Sequence, residues 1–241
     1  MKFLKSTLLG LAVAANAFAG ETSIETTATR ILVLENHLIS FQSEEYATKK
    51  EAITKDLTLI FDQKLTDEGK KAFSLPPSAA LGEIIIGTSD EYEAVLAPLF
   101  PQGSTTLVIT PVVDLGNDAI KALVQKYKAT SLEKLFDKAY ILHYSQYENP
   151  FVVAKEFGEV SALKYAEANS MLGMGAFDVS KTAEGDYVFT IGWGDCPAGC
   201  IASNSTYFTV DSTTGTVSKG SQEGNPIPDE EYYKYFLRTE N

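Results

Sequence analysis

The chain has 241 residues, of which 44% are hydrophobic, and its formal net charge at pH 7 is −12. This length and composition predict one to three small domains with packed cores and argue against long disordered spans. The acidic balance argues against nucleic acids and anionic membrane surfaces as partners, because both repel negative charge. The charge alone identifies no partner, since acidic surfaces also serve solubility.

The beginning of the chain has the pattern of a secretory signal peptide. Lys2 and Lys5 form a charged start, Leu8–Ala15 forms an apolar core, and Ala17–Ala19 supplies an A-x-A cleavage site. The apolar core is too short to span a bilayer, and no later segment is long and apolar enough to do so. We therefore expect a signal peptide over residues 1–19, secretion to the extracellular space or the periplasm, and no membrane insertion.

A small α+β unit is predicted over residues 20–103. The stretch Arg30–Leu34 fits a strand, but Leu32–Phe41 also fits a helix, and the pattern does not decide between the two. Ser89 is the predicted N-cap of a helix, and a cluster of Pro and Gly after it marks the end of the unit. The remaining predicted elements are strands over Asp56–Phe61 and Glu83–Ile86 and helices over Asp67–Phe73 and Asp90–Leu96.

Residues 104–172 are predicted to form a ferredoxin-like domain with the element order βαββαβ. Asn117–Tyr127 has apolar residues at the i, i+3, i+4 and i+7 spacing of one helix face. Asn149 and Pro150 are typical of the start of a second helix, and Gly158 is typical of its end. The predicted strands are Thr106–Val113, Ser131–Phe136, Lys138–Ser145 and Ser161–Asn169.

Residues 173–241 are predicted to form an antiparallel β-meander that ends in an acidic, tyrosine-rich tail. Short segments rich in β-branched and aromatic residues alternate here with glycine-containing turns. The predicted strands are Ala176–Ser180, Tyr187–Trp193, Ser205–Val210 and Thr216–Lys219. The tail over residues 229–241 is predicted to be a short surface helix. The three predicted regions together make an α+β protein.

Cys196 and Cys200 are the only cysteines, and they lie in a predicted loop between two strands. In a secreted protein such a pair predicts a structural disulfide that closes the small loop. The alternative is a redox pair, although the spacing is not C-x-x-C and no helix start lowers a thiol pKa. A disulfide would hold Trp193 and Asp195 at the rim of the loop, where the two side chains could serve recognition.

The sequence shows no catalytic or metal-binding motif. The only two histidines, His37 and His143, cannot supply a three-histidine zinc site. There is no G-x-S-x-G nucleophile elbow and no glycine-rich phosphate loop. We therefore expect a non-enzymatic protein with no catalytic residues, no metal and no cofactor.

The central block resembles the propeptide domain of subtilisin-like serine proteases, which has the same βαββαβ order. Leu163–Asn169, which reads L-K-Y-A-E-A-N, is similar to the closing strand V-x-Y-A-E-P-N of that family, with Ala168 in the position of the proline. The remaining segments that carry the resemblance are Ala122–Tyr127, Leu132–Phe136 and Ala139–Tyr144. The rest of the chain is too short for a protease domain and lacks its motifs, so we expect no protease domain.

The resemblance implies a chaperone and inhibitor whose sheet packs on a protease. It further implies that the tail after the last strand enters the substrate cleft as an added strand. By position, the residues of this inhibitory tail are Ser170, Met171, Leu172, Gly173 and Met174. The alternative interpretation of the same residues is a linker whose Met and Leu side chains pack in the protein's own core.

Three functions follow from these patterns. The favoured hypothesis is a secreted, non-enzymatic protein that binds and inhibits a subtilisin-like serine protease. The second is an extracellular structural or interaction protein that reuses the fold without a protease partner, because a fold does not determine a function. The third, with the least support, is a thiol oxidoreductase that uses Cys196 and Cys200.

Overall fold

The computed structural model describes residues 23–73, 80–169, 176–194, 200–227 and 234–238. It is a mixed α+β structure with one five-stranded and one four-stranded antiparallel sheet, which confirms the predicted fold class. The helices are α1 (Ser23–Glu35), α2 (Glu44–Lys64), α3 (Asp67–Phe73), α4 (Asp90–Leu96), α5 (Asp118–Lys126) and α6 (Pro150–Gly158). The strands are β1 (Glu83–Thr88), β2 (Thr106–Val108), β3 (Ala129–Phe136), β4 (Ala139–Tyr144), β5 (Leu163–Ala168), β6 (Phe177–Lys181), β7 (Tyr187–Trp193), β8 (Ala202–Asp211) and β9 (Thr216–Gly224).

The chain divides into two compact units. Unit 1 contains His37–Ser43 and the described part of Pro77–Ser170, and unit 2 contains the described parts of Thr22–Asn36, Glu44–Pro76 and Met171–Asn241. The residues predicted to form a separate unit over 20–103 are divided between these two units. Helices α1 to α3 belong to unit 2, whereas β1 and α4 belong to the same unit as the predicted ferredoxin-like block.

The sheet of unit 1 has the strand order β2-β3-β4-β1-β5, and every neighbouring pair is antiparallel. Without β2, the order is that of a βαββαβ arrangement whose first strand is β1. The prediction that Thr106–Val113 is the first strand is therefore wrong. Only Thr106–Val108 is a strand, because Pro111 and the turn around it end the extended backbone. This short strand lies at the edge of the sheet.

Strand β1 lies inside the sheet, between β4 and β5. Its Ile84 and Ile86 are 0% and 2% exposed, and a short continuous apolar run is typical of a buried strand. These two side chains join one buried cluster with Leu142 of β4 and with Val153 and Phe157 of α6. The helices therefore cover this face of the sheet.

Local capping signals fixed the helix starts of unit 1. The Ser89 hydroxyl accepts from Tyr92 N at 3.1 Å. Asn117 Oδ1 accepts from Ile120 N at 3.1 Å, and Asn149 Oδ1 accepts from Phe151 N at 3.0 Å. These hydrogen bonds confirm the predicted starts of α4 and α6. The starts were predictable because each cap joins residues that are close in sequence.

The segment His37–Ser43 is tied to the start of α6. Asn149 Nδ2 donates to the carbonyl oxygens of His37 and Ile39 at 3.1 and 2.8 Å. Glu148 accepts from Phe41 N at 2.8 Å and from the Ser40 hydroxyl at 2.9 Å. Thus Asn149 both caps α6 and holds a segment that lies more than 100 residues earlier in the chain.

Unit 2 combines α1 to α3 with the sheet β6-β7-β8-β9, in which consecutive strands pair. The predicted C-terminal β-meander is confirmed. Two N-terminal predictions need correction: Asp56–Phe61 is part of α2 and is not a strand, and Arg30–Leu34 lies in α1, so the helical alternative is right in type. In α2 the buried residues recur with helical period; they are Tyr46, Ile53, Leu57, Ile60 and Phe61.

Candidate functional site

The face of the unit 1 sheet opposite its helices carries an organised set of polar side chains. We call this the outer face. Because side chains alternate along a strand, the partners of Glu83 and Ile85 share that face. Glu83 lies opposite His143, and Ile85 lies opposite Ile141 on one side and Glu167 on the other. The outer face includes Glu83, Ile85, Glu133, Ile141, His143, Tyr165 and Glu167, and it continues onto β2 at Thr106 and Val108.

His143 bridges two carboxylates on this face. Its Nδ1 lies 3.2 Å from Glu83 Oε1, and its Nε2 lies 3.5 Å from Glu133 Oε2. Asn169 Nδ2 donates to the second oxygen of Glu83 at 3.0 Å. The side chains of His143 and Glu83 are 18% and 15% exposed, whereas that of Glu133 is 48% exposed. We call Glu83, His143 and Glu133 the charged row. It runs from a shielded pair, Glu83 and His143, to the accessible carboxylate of Glu133.

The electrostatics of the row favour a protonated imidazole. The hydrogen bond to Glu83 is the largest cause that raises the pKa of His143 above its ordinary value. Burial lowers the pKa, but Glu133 raises it further, and the net change is upward. A protonated His143 offsets part of the negative charge of its two neighbours.

The arrangement is suited to binding a surface more than to holding a metal. Glu83 and Glu133 contact opposite nitrogens of His143, so the three groups do not converge on one point. Within the described ranges, no group of three or more His, Cys, Asp or Glu residues could hold a metal ion. Ser131 is the cross-strand neighbour of His143, but the described structure contains no hydrogen bond between their side chains, as an activated nucleophile would need.

An aromatic side chain extends the outer face toward the sheet edge. The ring of Tyr165 lies across Gly87, and a Cβ atom at position 87 would come within 2.1 Å of Tyr165 Cε1. Tyr165 is 40% exposed. Glycine at this position lets the ring lie flat on the sheet, where it adds accessible apolar area beside Glu167.

A second polar cluster in unit 1 has a structural role. Glu93 of α4 accepts from the Thr88 and Tyr140 hydroxyls, both at 2.7 Å, and lies 3.7 Å from Lys134 Nζ. Burial raises the pKa of Glu93, but the hydrogen bonds from Thr88 and Tyr140 and the charge of Lys134 outweigh it, and the pKa lies below its ordinary value. The cluster fastens α4 to the sheet.

The residues predicted for the inhibitory tail lie outside the described residues. These residues are Ser170, Met171, Leu172, Gly173 and Met174. The structure does fix the point from which the tail departs. Strand β5 is an edge strand, and Asn169, directly after it, is bound to Glu83.

The predicted cysteine loop is described only at its ends. Cys196 and Asp195 lie outside the described residues, so the disulfide and the role of Asp195 stay predictions. Trp193 is half-buried at the end of β7, opposite Ala202. Cys200 packs directly against Gly192 at the same end of the sheet. A Cβ atom at position 192 would lie 2.4 Å from Cys200 Sγ.

Comparisons with known proteins identify no relative. No family model matches the chain, and neither a curated protein nor a solved structure matches it significantly. The resemblance to subtilisin propeptides therefore stays a prediction that rests on the residues themselves. Among the described helices, none combines the length and the apolar character needed to cross a membrane.

Sequence reasoning missed the row of Glu83, His143 and Glu133. These three residues lie on three different strands, and β1 was not assigned to the sheet. The predicted hairpin Ser131–Ser145 did not reveal it either. A regular turn at Asp137 and Lys138 pairs Glu133 with Leu142, and only the register shift between Lys134 and Phe136 brings Glu133 and His143 to one face.

Proposed function

We propose that unit 1 is a binding module for a subtilisin-like serine protease, and that the secreted protein inhibits such proteases. The observation that carries this proposal is the outer face. It is the sheet surface opposite the buried cluster that contains Ile84 and Ile86, and it combines apolar side chains with carboxylates. A surface of this kind suits a protein partner, with Ile141 and Tyr165 supplying apolar contact and Glu133 and Glu167 supplying charge.

The position of β5 supports the proposed use of the tail. An edge strand allows the following residues to leave the sheet in an extended conformation, as a segment added to a partner's sheet requires. Asn169 is 8% exposed and is held by Glu83, so the start of the tail has a fixed place relative to the outer face. Fixing the exit of a binding segment lowers the entropy lost on binding.

The second candidate is an interaction protein that reuses the fold without a protease. One observation favours it. The six residues 170–175 connect β5 with the described residues before β6, so the tail is joined to structured chain at both ends. In this case the outer face binds a different extracellular partner, and Met171 and Leu172 take no part in cleft binding.

Titration of several subtilisin-like proteases with the secreted protein, read by cleavage of a fluorogenic peptide, tests the first candidate. We expect inhibition at micromolar concentrations or below. The double variant E133Q/E167Q should weaken inhibition at least about tenfold, because it removes two exposed charges from the contact face. E159Q, which removes one exposed carboxylate after α6, is the matched control and should inhibit like the wild type.

Two results separate the candidates. Inhibition that is lost in L172D but retained in E159Q supports cleft binding by the tail. No inhibition of any protease at micromolar concentration overturns the inhibitor proposal, and pull-down of a non-protease partner that depends on Glu133 then supports the second candidate.

A further inference from the structure

The edge of the unit 1 sheet formed by β2 has unused backbone groups. The antiparallel ladder with β3 bonds alternate residues: Lys134 N donates to Thr105 O at 2.7 Å, and Ile109 N donates to Thr130 O at 2.9 Å. Thr106 and Val108 therefore direct their N–H and C=O groups away from β3. At Thr106 the Ser104 hydroxyl satisfies both groups, accepting from N at 3.0 Å and donating to O at 2.9 Å. Val108 has no such cover within the described structure.

A groove lies at the end of β2, between α5 and the loop that follows the strand. Its volume is about 490 Å³, which is in the range of pockets that hold small ligands or peptide side chains. The apolar lining residues are Ile109, Val112, Val113, Leu115, Val124 and Ala129. Val112 on its lip is 90% exposed and Val108 is 57% exposed. Apolar residues this accessible beside an open strand edge favour an extended, apolar occupant.

The charge at the groove specifies the occupant further. Lys121 is paired with Asp114 at 2.7 Å and with Asp118 at 3.3 Å, two carboxylates that outweigh its charge. Lys128 is exposed, lines the groove and forms no ion pair with any described residue. Its backbone has a positive φ of 51°, and the Lys128 carbonyl accepts from both the backbone N–H and the hydroxyl of Ser145, which holds the turn in place. The exposed ammonium group of Lys128 is complementary to a carboxylate.

We propose that β2 and the adjoining groove bind the carboxyl-terminal end of an extended apolar peptide. The peptide adds to the sheet by hydrogen bonds with the outward N–H and C=O of Val108. Alternate side chains enter the groove against Ile109 and Val113, which are half-buried, and the terminal carboxylate pairs with Lys128. This site uses the backbone of Val108, and it uses neither the outer-face carboxylates and His143 nor the residues 170–174.

Fluorescence anisotropy with the full-length secreted protein tests the site. The probes are amino-labelled hexapeptides of alternating valine and alanine, with a free carboxylate, with an amidated end, or amidated with one internal glutamate. We expect saturable binding of the free acid and at least about tenfold weaker binding of both amides. K128N, which keeps a residue suited to positive φ, should weaken the free acid about tenfold and leave the amides unchanged. The control K155Q removes a lysine charge from α6 and should have no effect.

A second pair of variants tests the strand edge. V108P removes the outward N–H without removing a ladder bond, so it should retain the fold by circular dichroism and weaken all three peptides. V112E places a carboxylate on the exposed lip of the groove and should repel the free-acid peptide. This variant keeps the proposal testable if V108P does not fold. The proposal is overturned if the wild type shows no saturable binding, if acid and amide bind equally, or if V112E binds the free acid like the wild type.

Discussion

One polar cluster of unit 1 faces outward, whereas a comparable cluster of unit 2 faces inward. In unit 1 the row of Glu83, His143 and Glu133 lies on the outer face of the sheet, with one carboxylate 48% exposed. In unit 2 comparable groups turn inward: Arg30, 6% exposed, donates to Asp178 and to the Val179 carbonyl. Polar groups that satisfy each other inside a unit stabilise it, whereas those on an open face remain available to a partner. The difference is why we assign recognition to unit 1.

The aromatic core of unit 2 gives the largest expected effect. Phe189 is 0% exposed and packs against Phe61, Phe73 and Phe208 with ring centroids 6.0, 4.9 and 5.3 Å away. Phe189→Ala should lower the free energy of unfolding by about 3–5 kcal/mol, because it leaves a cavity among rings that cannot collapse into it. Urea unfolding of the variant, with F136A as an exposed phenylalanine control in unit 1, measures the difference. A loss below 1 kcal/mol would contradict a rigid core.

Two glycines test how firmly each unit holds its surface. A Cβ at Gly192 in unit 2 would lie 2.4 Å from Cys200 Sγ, and one at Gly87 in unit 1 would lie 2.1 Å from Tyr165 Cε1. The Tyr165 ring is 40% exposed and can swing outward, whereas Cys200 is predicted to be held by a disulfide. Gly192→Ala should therefore cost about 1–3 kcal/mol, and Gly87→Ala less than about 1 kcal/mol. Thermal unfolding of both variants checks the order, and a larger loss in G87A would reverse the comparison.

How far the sequence predicted this fold depends on the range of the interactions involved. The caps at Ser89 and Asn149 were predictable, since each satisfies backbone N–H groups two or three residues away. The assignment of Asp56–Phe61 was wrong because five apolar or β-branched residues in a short run fit a strand as well as a buried helix. Only packing against the unit 2 core, which involves distant residues such as Phe189, decides between the two.

The site was less predictable than the fold. Choosing between Glu83–Thr88 and Thr106–Val113 as the first strand requires knowing which one pairs with both β4 and β5. Without that choice, Glu83 and His143 could not be placed in one row, although they lie opposite each other. Apolar patterns in strands reveal which face is buried, but the order of strands in the sheet is set by contacts between residues far apart in sequence.

Glu93 supplies a test on the acid side. Its lowered pKa means that its contribution to stability is present above its ordinary pKa of 4.5 and is lost as the pH falls through the lower folded-state value. Glu93→Gln should cost about 1–2 kcal/mol at pH 7, because Thr88 and Tyr140 lose a charged acceptor. Urea unfolding from pH 7 to pH 3 should show the wild type and the variant converging. D56N in unit 2, whose carboxylate also accepts from a tyrosine and a serine hydroxyl, is the matched comparison.

Substitution of His143 should give the smallest change in the free energy of unfolding. Its interactions lie on the outer face, where solvent screens the charges. Its pKa is raised, so the stabilisation by the charged imidazole is complete below the ordinary value of 6.5 and is lost as the pH rises through the higher folded-state value. His143→Gln should cost up to about 1 kcal/mol at pH 6 and less at pH 9. Nuclear magnetic resonance titration of the His143 ring in the wild type and in E83Q measures the cause directly. If E83Q leaves the His143 titration unchanged, the carboxylate does not hold the proton, and the outer face is not the charged row that separates unit 1 from unit 2.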